Sequence, residues 1–260
     1  MAEPSTGFVG LGTMGLPMAL NLHKRGLLAA AWNRTADKAA RLADETGCRA
    51  CNELSDLAGA CDIIVVCVSG DNDVLEVVAA MAPHLADDAL VIDCSTVSAQ
   101  TAREAADMLK AVGARFIDCP VSGGTEGAWN GTLSLMAGGD PDDIDRARPA
   151  LDAMGATITH MGPVGSGQAT KATNQIMVAG INQAVSEAMA FGEANGLQID
   201  DLIKALEGGA AASWFLTNRA PNMARGDFPL GFKVALHEKD LEICKEMAAG
   251  LDVRLPIVEM

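Results

Sequence analysis

Tyrosine is absent from this 260-residue chain, and aromatic residues make up only 3% of it. Any mechanism built on a catalytic tyrosine is therefore excluded. Histidine is scarce too, and its four copies, His23, His84, His160 and His237, are scattered. Cys48 and Cys51 form a lone C-x-x-C with no second pair, so no zinc set emerges and no metal is expected. Basic residues are few: 19 Lys and Arg stand against 34 Asp and Glu, a net charge of −15. Nucleic acid is a poor partner for such a surface, because binding phosphates needs a basic face. No apolar run is long enough to cross a bilayer, and residues 1–6 are too short and acidic for a secretory signal. The default expectation is a cytoplasmic protein with no membrane partner.

The chain is 49% hydrophobic and 20% charged, which reads as globular, and its length suits one large domain or two ordinary ones. The seven cysteines are odd in number. Cys61 and Cys67 flank the apolar run around residues 63–66, and Cys94 ends another, so buried reduced thiols fit better than a disulfide framework.

An apolar run at residues 6–9 is followed by Gly10-Leu11-Gly12-Thr13-Met14-Gly15 and then by a helical pattern over residues 17–25. Strand, glycine turn and helix are the context that a dinucleotide-binding turn requires. Gly10 permits the tight turn, Gly12 lets backbone approach a pyrophosphate, and Gly15 lets helix and strand pack closely. A second strand over residues 28–32 ends at Asn33-Arg34-Thr35, where an acidic residue would grip the ribose 2′-hydroxyl of NAD. An arginine with small polar neighbours suits a 2′-phosphate instead, so NADP is expected as cofactor.

Further strands are expected at residues 62–68, 89–94, 115–119, 132–136 and 157–160, with helices over 71–81, 99–112 and 141–154. This alternation specifies an α/β, Rossmann-type doubly wound sheet covering residues 1–163. Ligands in such sheets bind beyond the carboxyl ends of the strands, which singles out Val68, Ser69, Ser95, Thr96 and the run Pro120-Val121-Ser122-Gly123-Gly124. Ser122, Gly123 and Gly124 offer a hydroxyl and bare N–H groups suited to a carboxylate or phosphate, and equally suit a plain turn.

Residues 164–260 lack strand patterns and read as an all-α domain, joined through one long helix over residues 165–196. Further helices are expected over 197–206, 213–223 and 233–249. The long helix carries Lys171 on an apolar stripe with Val178 and Val185 at i+7 and i+14, and Asn174 lies one turn on. Buried lysine needs a partner or a task, the bland alternative being a lysine that snorkels from the helix edge. In the last helix Phe232, Ala235, Leu236, Ile243 and Met247 form an apolar stripe that includes Lys239 and Asp240, charges to be paired or aimed into a site.

Taken as a set, GLGTMG, NRT at 33–35, DCSTVS at 93–98, CPVSGG at 119–124, GQATKATNQ around Lys171 and EKDL at 238–241 closely resemble the β-hydroxyacid dehydrogenase family. The resemblance spans essentially the whole chain. It implies Lys171 as catalytic acid/base with Asn174 beside it at the substrate, and Ser122, Gly123 and Gly124 as the grip on the substrate carboxylate. It further implies Thr96 beside the nicotinamide and Lys239 closing over cofactor and substrate, and it places Asn33, Arg34 and Thr35 in the NADP-preferring branch. Relatives continue past the equivalent of Met260 with further helices.

The chemistry that follows is hydride transfer from NADPH to a small aldehyde or keto acid, while the Lys171 ammonium protonates the growing alkoxide. A lysine with a reference pKa of about 10.4 does this best where burial lowers it toward neutrality. No metal is needed, since a cation already sits where negative charge develops. Two other readings stand beside it. Imine reductases share Trp32-Asn33-Arg34-Thr35 but lack the lysine, and a non-catalytic NADP-binding protein would keep the cofactor site alone. Trp129, Trp214, Phe215, Arg219 and Phe232 are the candidates for shaping the substrate pocket. Ala179 and Gly180 would allow close approach at a dimer seam, and a homodimer or homotetramer is expected.

Overall fold

The run Ile63-Ile64-Val65-Val66 offers no polar face, so it forms a stable strand only where both sides are covered. All of its residues are buried, and they alternate between two apolar clusters, Ile63 and Val65 in one and Ile64 and Val66 in the other. Leu90 and Ile92 share the first cluster and Val91 the second, so alternation at period two puts a core on each face of one sheet.

The computed structural model describes residues 5–228 and 231–260. Residues 1–4, part of the segment weighed as a secretory signal, lie outside these. The strands are β1 (Thr6–Val9), β2 (Leu28–Trp32), β3 (Arg49–Ala50), β4 (Ile63–Val66), β5 (Leu90–Asp93), β6 (Arg115–Asp118), β7 (Val121–Ser122), β8 (Leu133–Gly138) and β9 (Gly155–Gly162). They order as β3-β2-β1-β4-β5-β6, all parallel, and the sheet continues through β8, which runs antiparallel to β6 and β7 and parallel to β9. Helices Gly15–Lys24, Ala36–Thr46 and Pro141–Met154 cover one face, and Leu54–Ala58, Asp71–Met81 and Ala99–Lys110 cover the other. The chain reverses its direction of travel across the sheet between β1 and β4, and that switch point opens a crevice at their carboxyl ends. The α/β doubly wound plan read from the sequence is the plan observed, with β3, β7 and the helices Ala36–Thr46, Leu54–Ala58 and Gly124–Asn130 added.

The chain divides into two compact units, Met1–Lys171 and Ala172–Met260. The Ser166–Ala194 helix begins in the first and continues into the second. Helices Ile199–Leu206, Trp214–Asn218, Ala220–Arg225, Val234–Ala249 and Pro256–Glu259 complete the second unit. One of its cores joins Val185 and Met189 to Ile203, Leu216 and Ala220, and another joins Ala172 to Cys244 and Val258. The helix expected over 213–223 is two, meeting at Arg219 where Pro221 enters the next first turn and removes a backbone donor. The apolar stripe expected in the last helix is corrected: Phe232, Ala235 and Leu236 are exposed, and Asp240, Ile243, Cys244 and Ala248 form the buried face. Among the described residues no helix is long and apolar enough to cross a membrane.

Candidate active site

The glycine turn between β1 and the Gly15–Lys24 helix is built by exclusion. Gly10 has φ of +97°, and a Cβ there would run into the Cys67 carbonyl just past β4, while a Cβ on Gly15 would strike the Gly10 carbonyl. Gly12 is different, because a Cβ there meets nothing within 4 Å. The turn is packed on its protein side and bare on its outer side, which is the cradle a pyrophosphate needs. Leu11 is buried, Met14 half-buried and Thr13 exposed beside Gly12.

The end of β2 braces this turn. Asn33 Oδ1 accepts from the Leu11 N–H at 2.8 Å, and Asn33 Nδ2 donates to the Thr35 carbonyl at 3.0 Å, so its amide frames the loop. Arg34 is exposed and pairs with Asp73 at 3.0 Å. Lys38, in the first turn of the Ala36–Thr46 helix, donates from Nζ to the Leu11 carbonyl at 3.2 Å. The sequence reading missed Lys38, although its spacing from Thr35 brings it back over the same loop.

At the switch point the Val68 N–H donates to Ser95 Oγ at 2.9 Å, linking the segments beyond β4 and β5. Ser69 is exposed and Thr96 half-buried. Beneath Ser95, Asp93 accepts the Ser95 N–H at 2.9 Å through Oδ1, while Oδ2 is buried and without a partner. Asp93 lies beside Asp118 in the β5–β6 register. Burial pushes the Asp93 carboxyl up to about 6 against the hydrogen bonds from Ser95, and the Asp118 and Asp71 charges push the same way as burial. The folded state thus binds this proton more tightly than the unfolded chain, and the contribution of Asp93 to stability falls as pH rises from about 4 to about 6. At roughly 1.4 kcal/mol for each tenfold gain in proton affinity, keeping this carboxylate buried and ionised costs about 3 kcal/mol at neutral pH. Asp93→Asn keeps the acceptor for Ser95 and removes the charge. It is expected to be more stable than wild type in urea unfolding at pH 7.5, with the difference shrinking toward pH 4. A variant less stable at pH 7.5 would sink this account.

The start of the long helix is anchored by Asp118, whose carboxylate accepts the Gly165 N–H at 2.7 Å and the Gln168 N–H at 2.8 Å. Burial raises this carboxyl too, opposed by those same bonds. The next turn presents Lys171, only 9% exposed, whose Nζ donates to the Val121 carbonyl at 2.9 Å. Val121 directly precedes Ser122, Gly123 and Gly124. Gly123 has φ of +129° and Gly124 +62°, and a Cβ on Gly124 would meet nothing within 4 Å. The lysine thus lies against a segment whose next residues offer a hydroxyl and glycine N–H groups. Val185 is buried and Val178 half-buried, so Lys171 does share its stripe with apolar residues.

In the second unit, half-buried Asn174 donates to Gln175 Oε1 at 2.8 Å, and Gln175 Nε2 donates to Asp240 Oδ2 at 2.7 Å. Asp240 is buried and pairs with Lys239 at 3.0 Å. Phe232 is exposed and packs against the His237 ring at 5.7 Å. Arg219 stacks over Trp214 at 4.6 Å, and Trp214 meets Phe215 edge-on. Trp129 instead lines a cavity of about 390 Å³ with Lys24, Arg25 and Asp152, at the end of the Gly15–Lys24 helix opposite the glycine turn. All seven cysteines are free. Burial pushes Cys61 and Cys67 up to about 12, far from the thiolate that redox chemistry uses. Among the described residues no group of three or more His, Cys, Asp or Glu converges as a metal site.

A Rossmann sheet with an open glycine turn at its switch point defines a protein built to bind a dinucleotide. Residues 5–162 match the NAD-binding domain of 6-phosphogluconate dehydrogenase, and residues 165–260 match the NAD-binding domain of NADP-dependent 3-hydroxyisobutyrate dehydrogenase. An uncharacterized oxidoreductase of Synechocystis is 41% identical over 92% of this chain and 84% of its own length. The 2-hydroxy-3-oxopropionate reductase of Escherichia coli is 36% identical over 96% of this chain and 86% of its own. The solved 3-hydroxyisobutyrate dehydrogenase of Mycobacterium tuberculosis, with L-serine, superposes with a TM-score of 0.91 at 30% identity, covering 99% of this chain and 91% of that one. The chain belongs to the β-hydroxyacid dehydrogenase family, and is an oxidoreductase that acts on CH–OH groups with a nicotinamide cofactor.

Proposed function

We propose that the protein uses NADPH to reduce a small carboxylate-bearing aldehyde or 2-oxo acid, such as a semialdehyde or glyoxylate, to its hydroxy acid, with Lys171 as the acid. The observation that carries this reading is the buried Lys171 Nζ held 2.9 Å from the Val121 carbonyl, next to Ser122-Gly123-Gly124. A bound nicotinamide supplies the hydride. The Ser122 hydroxyl and the N–H groups of Gly123 and Gly124 hold the substrate carboxylate, so that its carbonyl oxygen faces the ammonium. Lys171 Nζ gives its proton to that oxygen as charge develops, and takes it back in the oxidative direction. The hydrogen bond to Val121 fixes the direction of the ammonium before substrate arrives, so little reorganisation is left for the reaction. Asn174, one turn further along the same helix, orients the substrate.

The cofactor is held by the Gly10–Gly15 turn along its pyrophosphate and by Val68, Ser69 and Thr96 beyond the strand ends. Lys239 is assigned to the cofactor, with Asp240 holding it through their ion pair, and Phe232 to the substrate side. Arg34, Thr35 and Lys38 carry the preference for NADP. The Asp73 partner of Arg34 does not stand in the way, because an exposed pair is worth only about 0–1 kcal/mol whereas a charge-assisted bond to phosphate is worth about 1.5–3. Arg34→Ala is expected to raise KM for NADPH about 10- to 100-fold, by the loss of such bonds, and to move KM for NADH by less than about threefold. Equal losses for both cofactors in initial-rate assays would remove Arg34 from this role. The assembly we assign is a cytoplasmic homodimer or homotetramer, and the apolar surface that the second unit exposes at Met177, Phe191 and Leu197 supports it.

The test is NADPH oxidation with glyoxylate, succinic, tartronate and methylmalonate semialdehydes, and a cyclic imine as contrast. Turnover of at least one of the carboxylate-bearing aldehydes supports the proposal. Turnover of the imine alone would replace it with imine reduction, and tight NADPH binding with no turnover of any would point to a non-catalytic role.

A further inference from the structure

Gln168 is a long polar side chain with 1% exposure, and both ends of its amide are used. Oε1 accepts the Val97 N–H at 3.2 Å, and Nε2 donates to the Ser95 carbonyl at 2.9 Å. These two backbone groups flank Thr96. The amide therefore grips the residue assigned to the nicotinamide from both sides, as a neighbouring strand would, using one donor and one acceptor. Its own N–H is held by Asp118, which also caps the helix start, and Lys171 follows one turn later with Nζ on Val121. The first turns of this helix thus tie together the segment beyond β5, the last residue of β6 and the first of β7, and Gln168 is the side chain that reaches the segment beyond β5.

We infer that Gln168 is a positioning residue that sets the distance between the Thr96 segment and the Lys171 ammonium, and so aligns hydride and proton delivery. The inference rests on the proposed role of Lys171. Geometry of this kind acts on rate more than on affinity, because a misplacement of about 1 Å at the reacting atoms can cost about 100-fold. A carboxyl in place of the amide provides a sharper probe than truncation. Ionised, it accepts from Val97 but sets a second oxygen against the Ser95 carbonyl; protonated, it restores the donor. The charged groups around that position include Asp118, bonded to the residue-168 N–H, Asp93 beneath Ser95, Asp71 bonded to the Ser98 N–H, Arg103 beside Gly165, and Lys171 one turn on, and wild type carries the same groups.

The experiment measures kcat, KM for NADPH and thermal midpoint of wild type, Gln168→Ala and Gln168→Glu, across pH 5 to 8.5. Gln168→Ala is expected to lose about 10- to 100-fold in kcat while KM for NADPH changes less than about threefold. Gln168→Glu is expected to show a deficit relative to wild type that narrows as pH falls and the new carboxyl gains its proton. A Gln168→Glu to wild-type kcat ratio that stays flat with pH overturns the inference, as does a Gln168→Ala variant with normal kcat. Where the alanine variant does not fold, the nearly isosteric glutamate variant decides alone. Lys171→Ala run alongside separates the two claims: if it loses turnover while Gln168→Ala keeps it, the positioning role fails and the acid role stands; if Lys171→Ala keeps turnover, the underlying reading has failed.

Discussion

Lys171→Ala is expected to lower kcat for aldehyde reduction by about 10³-fold, within the range of roughly 10²–10⁴ that a positioned general acid contributes. Binding of NADPH, followed by quenching of protein fluorescence, is expected to change by less than about threefold, because the glycine turn that holds the pyrophosphate is braced by Asn33 and Lys38 and not by Lys171. The alanine variant should remain folded, since the helix start is tied down independently by Asp118 and Gln168. Lys171→Arg makes the test stricter. It keeps a positive charge but offers a group that does not release its proton in proteins, so a loss of at least about 100-fold is expected despite the retained charge. An arginine variant with near-wild-type kcat would mean that the site needs a charge there and not a proton.

The glycine turn gives the second large effect, and it separates folding from binding. A side chain on Gly15 collides with the backbone at Gly10, which cannot yield without moving β1, so Gly15→Val is expected to destabilise the protein by more than about 4 kcal/mol. Gly12 has open space where its side chain would go, so Gly12→Val should unfold within about 1 kcal/mol of wild type and yet bind NADPH at least about 100-fold more weakly. Urea unfolding and cofactor titration of the two variants check this contrast. A Gly12→Val protein that binds NADPH normally would mean that the pyrophosphate does not lie over this turn.

Much of this architecture is legible in the sequence, for a physical reason. Strands buried on both faces must be largely apolar, so β4 stands out at once, and the short apolar runs Thr6–Val9 and Leu28–Trp32 take the same bounds in the structure as β1 and β2, although Ala29 is exposed. The glycine turn is equally plain, because only glycine fits at Gly10 and Gly15. Lys171 stands out because a cation on an apolar stripe is costly. Two-residue strands such as Arg49–Ala50 carry no pattern to read. The stripe through Phe232 and Leu236 misleads because apolar spacing alone does not say whether a partner covers it. Two charges on that stripe signal that Lys239 and Asp240 need partners or a task without saying which, and the Gln175 bond to Asp240 joins residues 65 apart. Gln168 is invisible for the same reason: its partners at 95 and 97 lie more than 70 residues away in sequence and meet it only once the sheet is formed. The apposition of Asp93 and Asp118 likewise depends on strand register.

The most direct test of the central claim is transfer of deuterium. NADPH carrying deuterium at the nicotinamide C4, on either face in turn, is incubated with the best aldehyde from the panel and wild type or Lys171→Ala, and the hydroxy acid is analysed by mass spectrometry. The account predicts one deuterium on the former carbonyl carbon from one of the two faces with wild type, and formation of that product slowed about 10³-fold in the variant. Hydroxy acid that forms without deuterium from either face, or that forms equally fast without Lys171, would contradict it.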